Sequence, residues 1–451
     1  MRATRRRFLG ALTAASYQRI LGANDRVGVG FIGYGLIGAQ HVHDFKNQKD
    51  ADLVAVCDVY QPRLEQGLAA CGPRAKGYRD FRHLLESKDV DAVVISTPDH
   101  WHALMTMLAC AAGKDVYVEK PLTLFVREGR WMVNAARRWR RVVQVGTQQR
   151  SGRHYQKAVE LLRAGYIGKI HSVRMGAFRN VMPGFGRPPD AAPPPELDYD
   201  LWLGPAPERP YNPHRSLYHF RWFWDYSGGQ MTNLGSHQLD VVHWAMRVTG
   251  PMAVASSGGR FCLEDNGETP DTQDALFEYP GFTALWSHRE AGFGRGAGAG
   301  LEFIGSKGSM TLGRSGFEIH ADTKIAPEDA IPVFRGHPAG GPQRTRGSKE
   351  RWIEPLRETG SSEEQFDLHV RNFLDCIKTR QRPNADVEDG HRVATSCHLA
   401  NISLRVGRKI RWDAEREEIL GDREAGAMLV RPYRKPWDEV LRSLRVETPE
   451  A

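Results

Sequence analysis

The sequence is poor in three features, each of which would define a class of function. Its six cysteines lie far apart and none forms a C-x-x-C pair, which argues against a zinc knuckle or a redox-active dithiol. No apolar run approaches the roughly 20 residues that a membrane-spanning helix needs. No basic run interleaved with aromatic residues occurs beyond the first 22 residues, although the formal charge is +8. We therefore expect no metal site, no membrane span and no nucleic-acid partner.

Length and composition instead predict a globular chain of more than one domain. The chain has 451 residues, of which 41% are hydrophobic and 26% are charged. Its patterns divide it into a leader at 1–22, an α/β domain at 25–148 and a second domain at 149–412. A tail at 413–451 is expected to pack on the second domain.

The first 22 residues favour export. Five arginines and no acid occur there, and the paired Arg5 and Arg6 stand before Phe8 and Leu9 and a short apolar run. This pattern looks like a twin-arginine signal, whose machinery carries folded proteins. We expect a periplasmic protein that is loaded with any cofactor before export. A disordered basic tail on a cytoplasmic protein is the alternative.

Strands and helices alternate through residues 25–148. The apolar patterns predict strands at 26–32, 52–57, 91–97, 115–119 and 142–145, and helices at 36–48, 100–112 and 126–140. Such alternation is typical of a doubly wound parallel sheet with helices on both faces, as in a Rossmann domain.

The first strand-to-helix turn reads Gly33-Tyr34-Gly35-Leu36-Ile37-Gly38, a G-x-G-x-x-G pattern. Its glycines permit a tight turn, a close approach to a pyrophosphate and tight packing of helix on strand. Asp58 follows twenty residues after Gly38, where a carboxylate can accept hydrogen bonds from the adenosine ribose. It would repel a 2′-phosphate, so NAD is favoured over NADP, although the nearby Arg63 keeps NADP possible.

Two further segments make the resemblance specific. Thr97-Pro98-Asp99-His100-Trp101-His102 follows the 91–97 strand, and Glu119-Lys120-Pro121 ends the 115–119 strand. Together with the glycine-rich turn they resemble the Gfo/Idh/MocA oxidoreductases. The resemblance implies that Glu119 and Lys120 lie beside the nicotinamide and that Lys120 assists proton transfer. It also implies that Thr97, Pro98 and His102 contact the cofactor.

The resemblance continues into the second domain. Gln148 and Arg150 occupy a crossover segment where the family places an amide beside the cofactor and an arginine near the ligand. The family's D-x-x-x-H-x-x-D pattern corresponds to Asn233, His237 and Asp240, with His237 as the proton acceptor. Asn233 departs from the usual carboxylate, which puts the proton relay in question. Arg221, Trp224 and Asp240 are further candidates for substrate binding.

The remaining pattern of residues 149–412 predicts an α+β domain with a large, mostly antiparallel sheet. Apolar runs flank hairpin signals at Pro280-Gly281 and at Gly305-Ser306-Lys307-Gly308. In the family such a sheet often mediates oligomer formation, so we expect a homo-oligomer.

The expected function is hydride transfer between a tightly bound NAD and a hydroxyl-bearing carbon of a sugar, glycoside or polyol. Two alternatives stay open. Transient oxidation can drive elimination of a glycosidic leaving group, as in some glycosidases of the family. A catalytically silent sugar-binding protein is the other, suggested by Asn233.

Overall fold

The computed structural model describes residues 26–294, 300–325, 333–334, 337–338 and 347–446. The predicted leader lies outside these residues. Among the described residues, no helix is both long and apolar enough to cross a membrane.

The first domain is built on a six-stranded, all-parallel sheet in the order β3-β2-β1-β4-β5-β6. This is the strand order of the dinucleotide-binding Rossmann fold. Its strands are β1 Val27–Ile32, β2 Ala51–Cys57, β3 Lys76–Tyr78, β4 Ala92–Ile95, β5 Asp115–Val118 and β6 Val143–Val145. Its helices are α1 Leu36–Lys46, α2 Gln61–Cys71, α3 Phe81–Leu85, α4 Asp99–Ala111 and α5 Val126–Arg138.

Apolar residues alternate between the two faces of this sheet. Val93 and Ile95 of β4 pack in the cluster formed with α4 and α5, whereas Ala92 and Val94 face the cluster formed with α1. Both faces are therefore buried, which is why the strands read as continuous apolar runs.

The second domain is built on a ten-stranded sheet in the order β18-β13-β12-β11-β7-β10-β9-β8-β19-β20. Only the β7–β10 pair is parallel. The strands are β7 Ile170–Phe178, β8 Ala253–Gly259, β9 Thr272–Tyr279, β10 Phe282–Arg289, β11 Gly300–Gly305, β12 Gly308–Gly313, β13 Gly316–Ala321, β14 Thr323–Ile325, β15 Val333–Phe334, β16 His337–Pro338, β17 Gly347–Arg351, β18 Leu356–Thr359, β19 Ile410–Asp413 and β20 Glu418–Ile419. Strands β14 with β17, and β15 with β16, form two small ribbons.

The other helices are α6 Arg153–Arg163, α7 Tyr199–Leu203, α8 Ser236–Met246, α9 Ser362–Thr379, α10 Val387–Val406, α11 Arg423–Ala427 and α12 Trp437–Leu444. A single π-helical turn, Met231–Gly235, runs directly into α8. The predicted fold class, a Rossmann domain followed by a mostly antiparallel α+β domain, is confirmed.

Two helices late in the chain join the domains. Phe373 and Ile377 of α9 pack with Phe31 and Phe45 on the α1 face of the Rossmann sheet. Helix α10 lies between α5 of the first domain and β8 and α8 of the second. These two helices from the second part of the chain therefore complete the cover of the first domain.

The tail corrects one expectation. Helix α11 packs on α10, but α12 packs on α4 of the Rossmann domain and not on the second domain. The indole of Trp437 lies edge-on to Trp101, with ring centroids 4.8 Å apart, and stacks on Phe81. Helix α12 buries Trp437, Leu441 and Leu444, and this apolar face meets the Rossmann domain.

Candidate active site

A cleft of about 240 Å³ lies between the two domains. The Rossmann domain lines it with the turn after β1, residues 96–99 and residues 119–121. The second domain contributes residues 217–221, Ser227, Asn233, His237 and Arg314. A smaller pocket of about 60 Å³ continues from the cleft past Gly35 and Thr97 to Asp58. Together the two pockets form an elongated channel at the carboxyl ends of the parallel strands, where such sheets bind ligands.

The turn after β1 fits a pyrophosphate. Gly33 has a φ of +91°, and a Cβ there would lie 2.8 Å from the carbonyl oxygen of Ser96. A Cβ on Gly38 would lie 2.2 Å from the carbonyl oxygen of Gly33, so this glycine permits the close packing of α1. A Cβ on Gly35 would meet only the guanidinium of Arg63, at 3.6 Å, so its outer side is open to a ligand.

Asp58 is positioned at the far end of this channel. Its carboxylate accepts hydrogen bonds from the main-chain N–H groups of Tyr34, at 2.8 Å, and Tyr60, at 2.9 Å. Burial raises the pKa of Asp58, while these two hydrogen bonds and the charges of Arg63 and Arg79 act in the opposite direction. The carboxylate is therefore held rigidly where a ribose would lie, with Arg63 beside it.

Thr97 and Pro98 line both pockets, and His102 fixes them there. The ring of His102 contacts the carbonyl oxygens of Pro121, at 2.7 Å, and Thr97, at 2.9 Å. One imidazole thus ties the segment after β4 to the segment after β5. His102 thus holds two segments of the cleft wall together.

Glu119 lines the cleft and is otherwise buried. Its Oε1 accepts a hydrogen bond of 2.7 Å from Nε2 of the buried His41, and its Oε2 accepts one from the main-chain N–H of Lys120. Burial by itself would raise the pKa of Glu119, but the hydrogen bond from His41 brings it below its ordinary value. Glu119 therefore remains ionised and fixes the start of the Glu119-Lys120-Pro121 segment.

The ammonium of Lys120 reaches across the cleft to the second domain. It donates hydrogen bonds to the main-chain oxygen of Asn233, at 2.9 Å, and to the side-chain amide oxygen of the same residue, at 3.1 Å. Burial lowers the pKa of Lys120 to about 8, Glu119 opposes the shift, and the charges of Arg221 and Arg314 contribute to it. The ammonium is thus close to its titration point near neutral pH.

His237 lies one helical turn beyond Asn233 and lines the same cleft. Burial, together with the charges of Lys120 and Arg314, holds the pKa of His237 well below its usual range. Nδ1 of its ring is buried without a hydrogen-bond partner among the described residues, and His237 as a whole is 5% exposed. A neutral imidazole with no protein partner can accept a proton from a ligand.

Comparisons with known proteins agree with this geometry. Residues 27–147 match the sequence profile of the Gfo/Idh/MocA oxidoreductase family with an NAD-binding Rossmann fold. Residues 181–256 and 354–439 match the profile of that family's C-terminal alpha/beta domain. The chain belongs to the Gfo/Idh/MocA oxidoreductase family. It is an NAD-binding oxidoreductase.

Individual relatives differ in how much of the chain they cover. The myo-inositol 2-dehydrogenase of Thermotoga maritima is 24% identical over 87% of this chain and 99% of that protein. A glycosyl hydrolase family 109 protein of a Shewanella species is 33% identical, but over 32% of this chain and 34% of its own. The WlbA dehydrogenase of Bordetella pertussis, solved with NADH and UDP-GlcNAcA, is 20% identical with a TM-score of 0.64, over 87% of this chain and 99% of WlbA.

Two of the predicted substrate contacts in this Gfo/Idh/MocA protein need correction. Arg150 and Asp240 do not line the cleft, because they form a buried pair in which the guanidinium Nε lies 2.9 Å from both carboxylate oxygens. Their side chains are 6% and 1% exposed. Helical spacing placed Asp240 near the face of His237, but the pattern did not reveal that Arg150 would occupy it. Their role is to join the crossover segment to α8.

Trp224 is a third correction. Its indole lies under the guanidinium of Arg405, at 5.2 Å, and lines a separate small pocket with Phe125 and His398. Gln148 and Arg221, by contrast, do line the cleft. The neighbouring Trp222 and Tyr226 belong to a buried apolar cluster of this family member, which does not include Trp224.

Sequence reasoning missed three polar residues of the cleft, Asp99, Ser227 and Arg314. Asp99 accepts a hydrogen bond of 2.5 Å from the hydroxyl of Ser227, and burial raises the pKa of its carboxyl group. Asp99 lies inside the Thr97–His102 segment, but its contact with Ser227 joins residues 128 apart and is visible only in the structure. Arg314 stands in the hairpin between β12 and β13, where no local pattern distinguishes it from a surface arginine.

Proposed function

We propose that this protein oxidises a hydroxyl-bearing carbon of a sugar, glycoside or polyol, or reduces the corresponding carbonyl group. The observation that carries the proposal is the meeting of Lys120 and His237 in one cleft, beside the NAD-binding turn. Lys120 follows β5 at the carboxyl end of the parallel sheet, where ligands of such sheets bind, and His237 faces the same cleft from α8 of the second domain.

Lys120 supplies the positive charge at the reacting oxygen. Its ammonium is fixed by Asn233, so little reorganisation is needed when negative charge develops on a substrate hydroxyl. His237 accepts the hydroxyl proton, because its imidazole is neutral and has no hydrogen-bond partner among the described residues. Bound NAD supplies the hydride acceptor.

Asn233 orients the ammonium of Lys120 and does not relay a proton. Its side-chain N–H donates to Oε1 of Gln230, at 3.2 Å, and Gln230 donates to Glu290, at 2.8 Å. This chain directs the amide oxygen of Asn233 at the ammonium of Lys120. The amide cannot exchange a proton at neutral pH, so we assign the proton transfer to His237 and Lys120 alone.

The proposal is tested by titrating the purified protein with NAD and then adding a panel of polyols, including myo-inositol, and neutral and acidic sugars. We expect NAD to bind and at least one compound to reduce it, seen as absorbance and fluorescence of reduced nicotinamide. Binding of NAD without reduction by any compound would favour a catalytically silent protein instead.

A second candidate keeps the same cofactor but changes the net reaction. The similarity to glycosyl hydrolase family 109 proteins over about a third of the chain favours testing glycoside cleavage through transient oxidation. Chromogenic glycosides separate the two candidates. Release of the aglycone without accumulation of NADH would support cleavage, whereas stoichiometric NADH supports the dehydrogenase.

The N-terminal pattern and the sheet support two further proposals. Export by the twin-arginine route predicts that full-length protein reaches the periplasm and that Arg5→Lys with Arg6→Lys retains it in the cytoplasm. Leu276 and Leu285 are 39% and 40% exposed on neighbouring strands of the ten-stranded sheet, which supports a homo-oligomer. Light scattering during gel filtration measures the mass of the particle and tests the homo-oligomer.

We also propose that NAD stays bound through purification, which mass spectrometry of the released ligands would reveal.

A further inference from the structure

The wall of the cleft carries more positive than negative charge. Four permanent or titrating cations line it, namely Arg63, Lys120, Arg221 and Arg314. The carboxylates that line it are Asp99 and Glu119. A neutral sugar is bound by hydrogen-bond donors and acceptors alike, so its binding does not explain an excess of positive charge.

Neither carboxylate is paired with an arginine of the wall. Glu119 binds His41 and the main chain of Lys120, and Asp99 binds the hydroxyl of Ser227. Elsewhere in the chain buried guanidinium groups are matched by acids, as in the pair of Arg150 with Asp240. The cations of the cleft thus keep their charge available to a ligand.

Arg221 is held in place by groups other than a carboxylate. Its guanidinium lies over the ring of Phe220, at 4.6 Å, and over that of Tyr218, at 5.1 Å. One N–H donates to the main-chain oxygen of Tyr218, at 2.8 Å. No carboxylate of the described chain pairs with it, so the remaining N–H groups of a rigidly placed fork are free for a ligand.

Arg314 approaches the cleft from the other side, on the hairpin between β12 and β13. The hairpin is anchored, because the side chain of Gln365 donates to the main-chain oxygen of Arg314, at 3.2 Å, and His154 contacts that of Gly313, at 3.0 Å. No ion pair of the Arg314 side chain occurs within the described part of the chain. The main chain of the hairpin is therefore anchored, and it carries the exposed, unpaired guanidinium of Arg314 at the edge of the cleft.

These two arginines belong to the substrate end of the cleft. Arg63 lies beside Gly35, where the pyrophosphate of the cofactor would use its charge. Arg221 and Arg314 instead line the cleft together with Lys120 and His237, and the charges of both arginines lower the pKa of Lys120. An anion between them would belong to the molecule being oxidised.

We propose that the substrate of this site is an acidic sugar, whose carboxylate or phosphate is bound by Arg221 and Arg314 while its reacting hydroxyl meets Lys120 and His237. This inference rests on the proposed oxidoreductase function. Arginine binds such oxyanions through two parallel hydrogen bonds, which gives both affinity and orientation. The cationic wall also attracts an anionic substrate from solution.

The test compares matched pairs on the NAD-saturated protein. The dissociation constant, by calorimetry, and kcat/KM are measured for D-glucuronate against D-glucose, D-galacturonate against D-galactose, and D-glucose 6-phosphate against D-glucose. We expect an acidic member to bind and react at least about tenfold better than its neutral partner, with an advantage that shrinks at high salt. The better of the carboxylate and phosphate compounds identifies the anionic group.

Single substitutions test which arginines produce the preference for the acidic sugar. Arg221→Gln and Arg314→Gln should each reduce the preference for the acidic member at least about tenfold, the cost of a lost charged hydrogen bond. Arg174→Gln, at an exposed arginine on β7 that faces Glu302, is the matched control and should keep the preference. Each substitution removes one positive charge, and the control removes it outside the cleft, at an arginine that is paired with Glu302.

The outcomes separate this inference from the function on which it rests. Equal or better binding of the neutral members overturns the acidic-sugar inference, even if they are oxidised. Tight binding of an acidic member without reduction of NAD would support the inference and reject the oxidoreductase function. A preference unchanged by both arginine variants would also overturn it.

Discussion

Lys120 of the Rossmann domain and Asn233 of the second domain form a two-point contact, with the ammonium 2.9 Å from the main-chain oxygen and 3.1 Å from the amide oxygen. The contact spans the cleft, so the orientation of the ammonium depends on the relative position of the domains. It also places a neutral amide against the ammonium. The pKa of Lys120, about 8, is consequently set by burial and by its charged neighbours.

Replacing Asn233 should move the alkaline limit of activity in a predictable direction. Lys120 acts in its protonated form, so kcat/KM falls as the pH rises through its pKa of about 8. Asn233→Asp adds a negative charge beside the ammonium and should raise that pKa, moving the limit to higher pH. Asn233→Leu, similar in size, removes the amide hydrogen bond and should move it lower. Identical profiles for the two variants would show that Lys120 does not govern this limit.

His237 should set the acidic limit, at a pH well below 6.5. Its pKa is held far below the ordinary value by burial and by Lys120 and Arg314, so the neutral form persists into mildly acidic solution. His237→Asn should lower kcat by about 100-fold or more, as expected for loss of a general base, and should abolish that limit. Quenching of protein fluorescence by NADH is the control for retained cofactor binding. A variant with wild-type kcat would exclude proton transfer through His237.

Asp58 should determine the preference for NAD. Its carboxylate is held by the N–H groups of Tyr34 and Tyr60, with Arg63 nearby. Asp58→Asn removes the charge that repels a 2′-phosphate, so the ratio of NADP to NAD affinity should rise by at least about tenfold. Adding Arg63→Gln should reverse part of this gain. Dissociation constants from fluorescence titration measure both, and an unchanged ratio would show that another group reads the ribose.

The pair of Arg150 and Asp240 should stabilise the fold and not the substrate complex. Asp240→Ala leaves the buried guanidinium of Arg150 with only the more distant Asp389, at 3.5 Å, and should lower the free energy of unfolding by about 3 kcal/mol. The double variant Arg150→Met, Asp240→Leu should recover much of this loss. Urea denaturation of the three proteins gives the comparison. If the single variant kept its stability but raised KM, the substrate role first expected for these residues would be restored.

The sequence was most informative where local rules are strict. The turn Gly33–Gly38 needs glycine for steric reasons, and buried parallel strands such as β4 need continuous apolar runs, so the Rossmann domain could be predicted. Helix α2 and strand β3 were missed. The helix has only Leu64 and Gly67 buried, and the strand has three residues, so neither leaves a clear periodic pattern.

The site was less predictable because it forms between distant segments. Lys120 and Asn233 are 113 residues apart, and Arg314 joins them from a hairpin whose position depends on the register of β12 with β13. The same limit explains the error at Arg150, since a buried ion pair with Asp240 joins residues 90 apart. Resemblance to the family supplied Lys120 and His237, whereas Asp99 and Arg314 required the structure.

The most direct test compares wild-type protein with Lys120→Met at saturating NAD, using the best substrate from the panel and reading the absorbance of reduced nicotinamide. The account predicts NADH formation by the wild type and a loss of about 100-fold or more in kcat for the variant, with cofactor binding retained. Equal rates for the two proteins, or failure of the wild type to bind NAD, would contradict it.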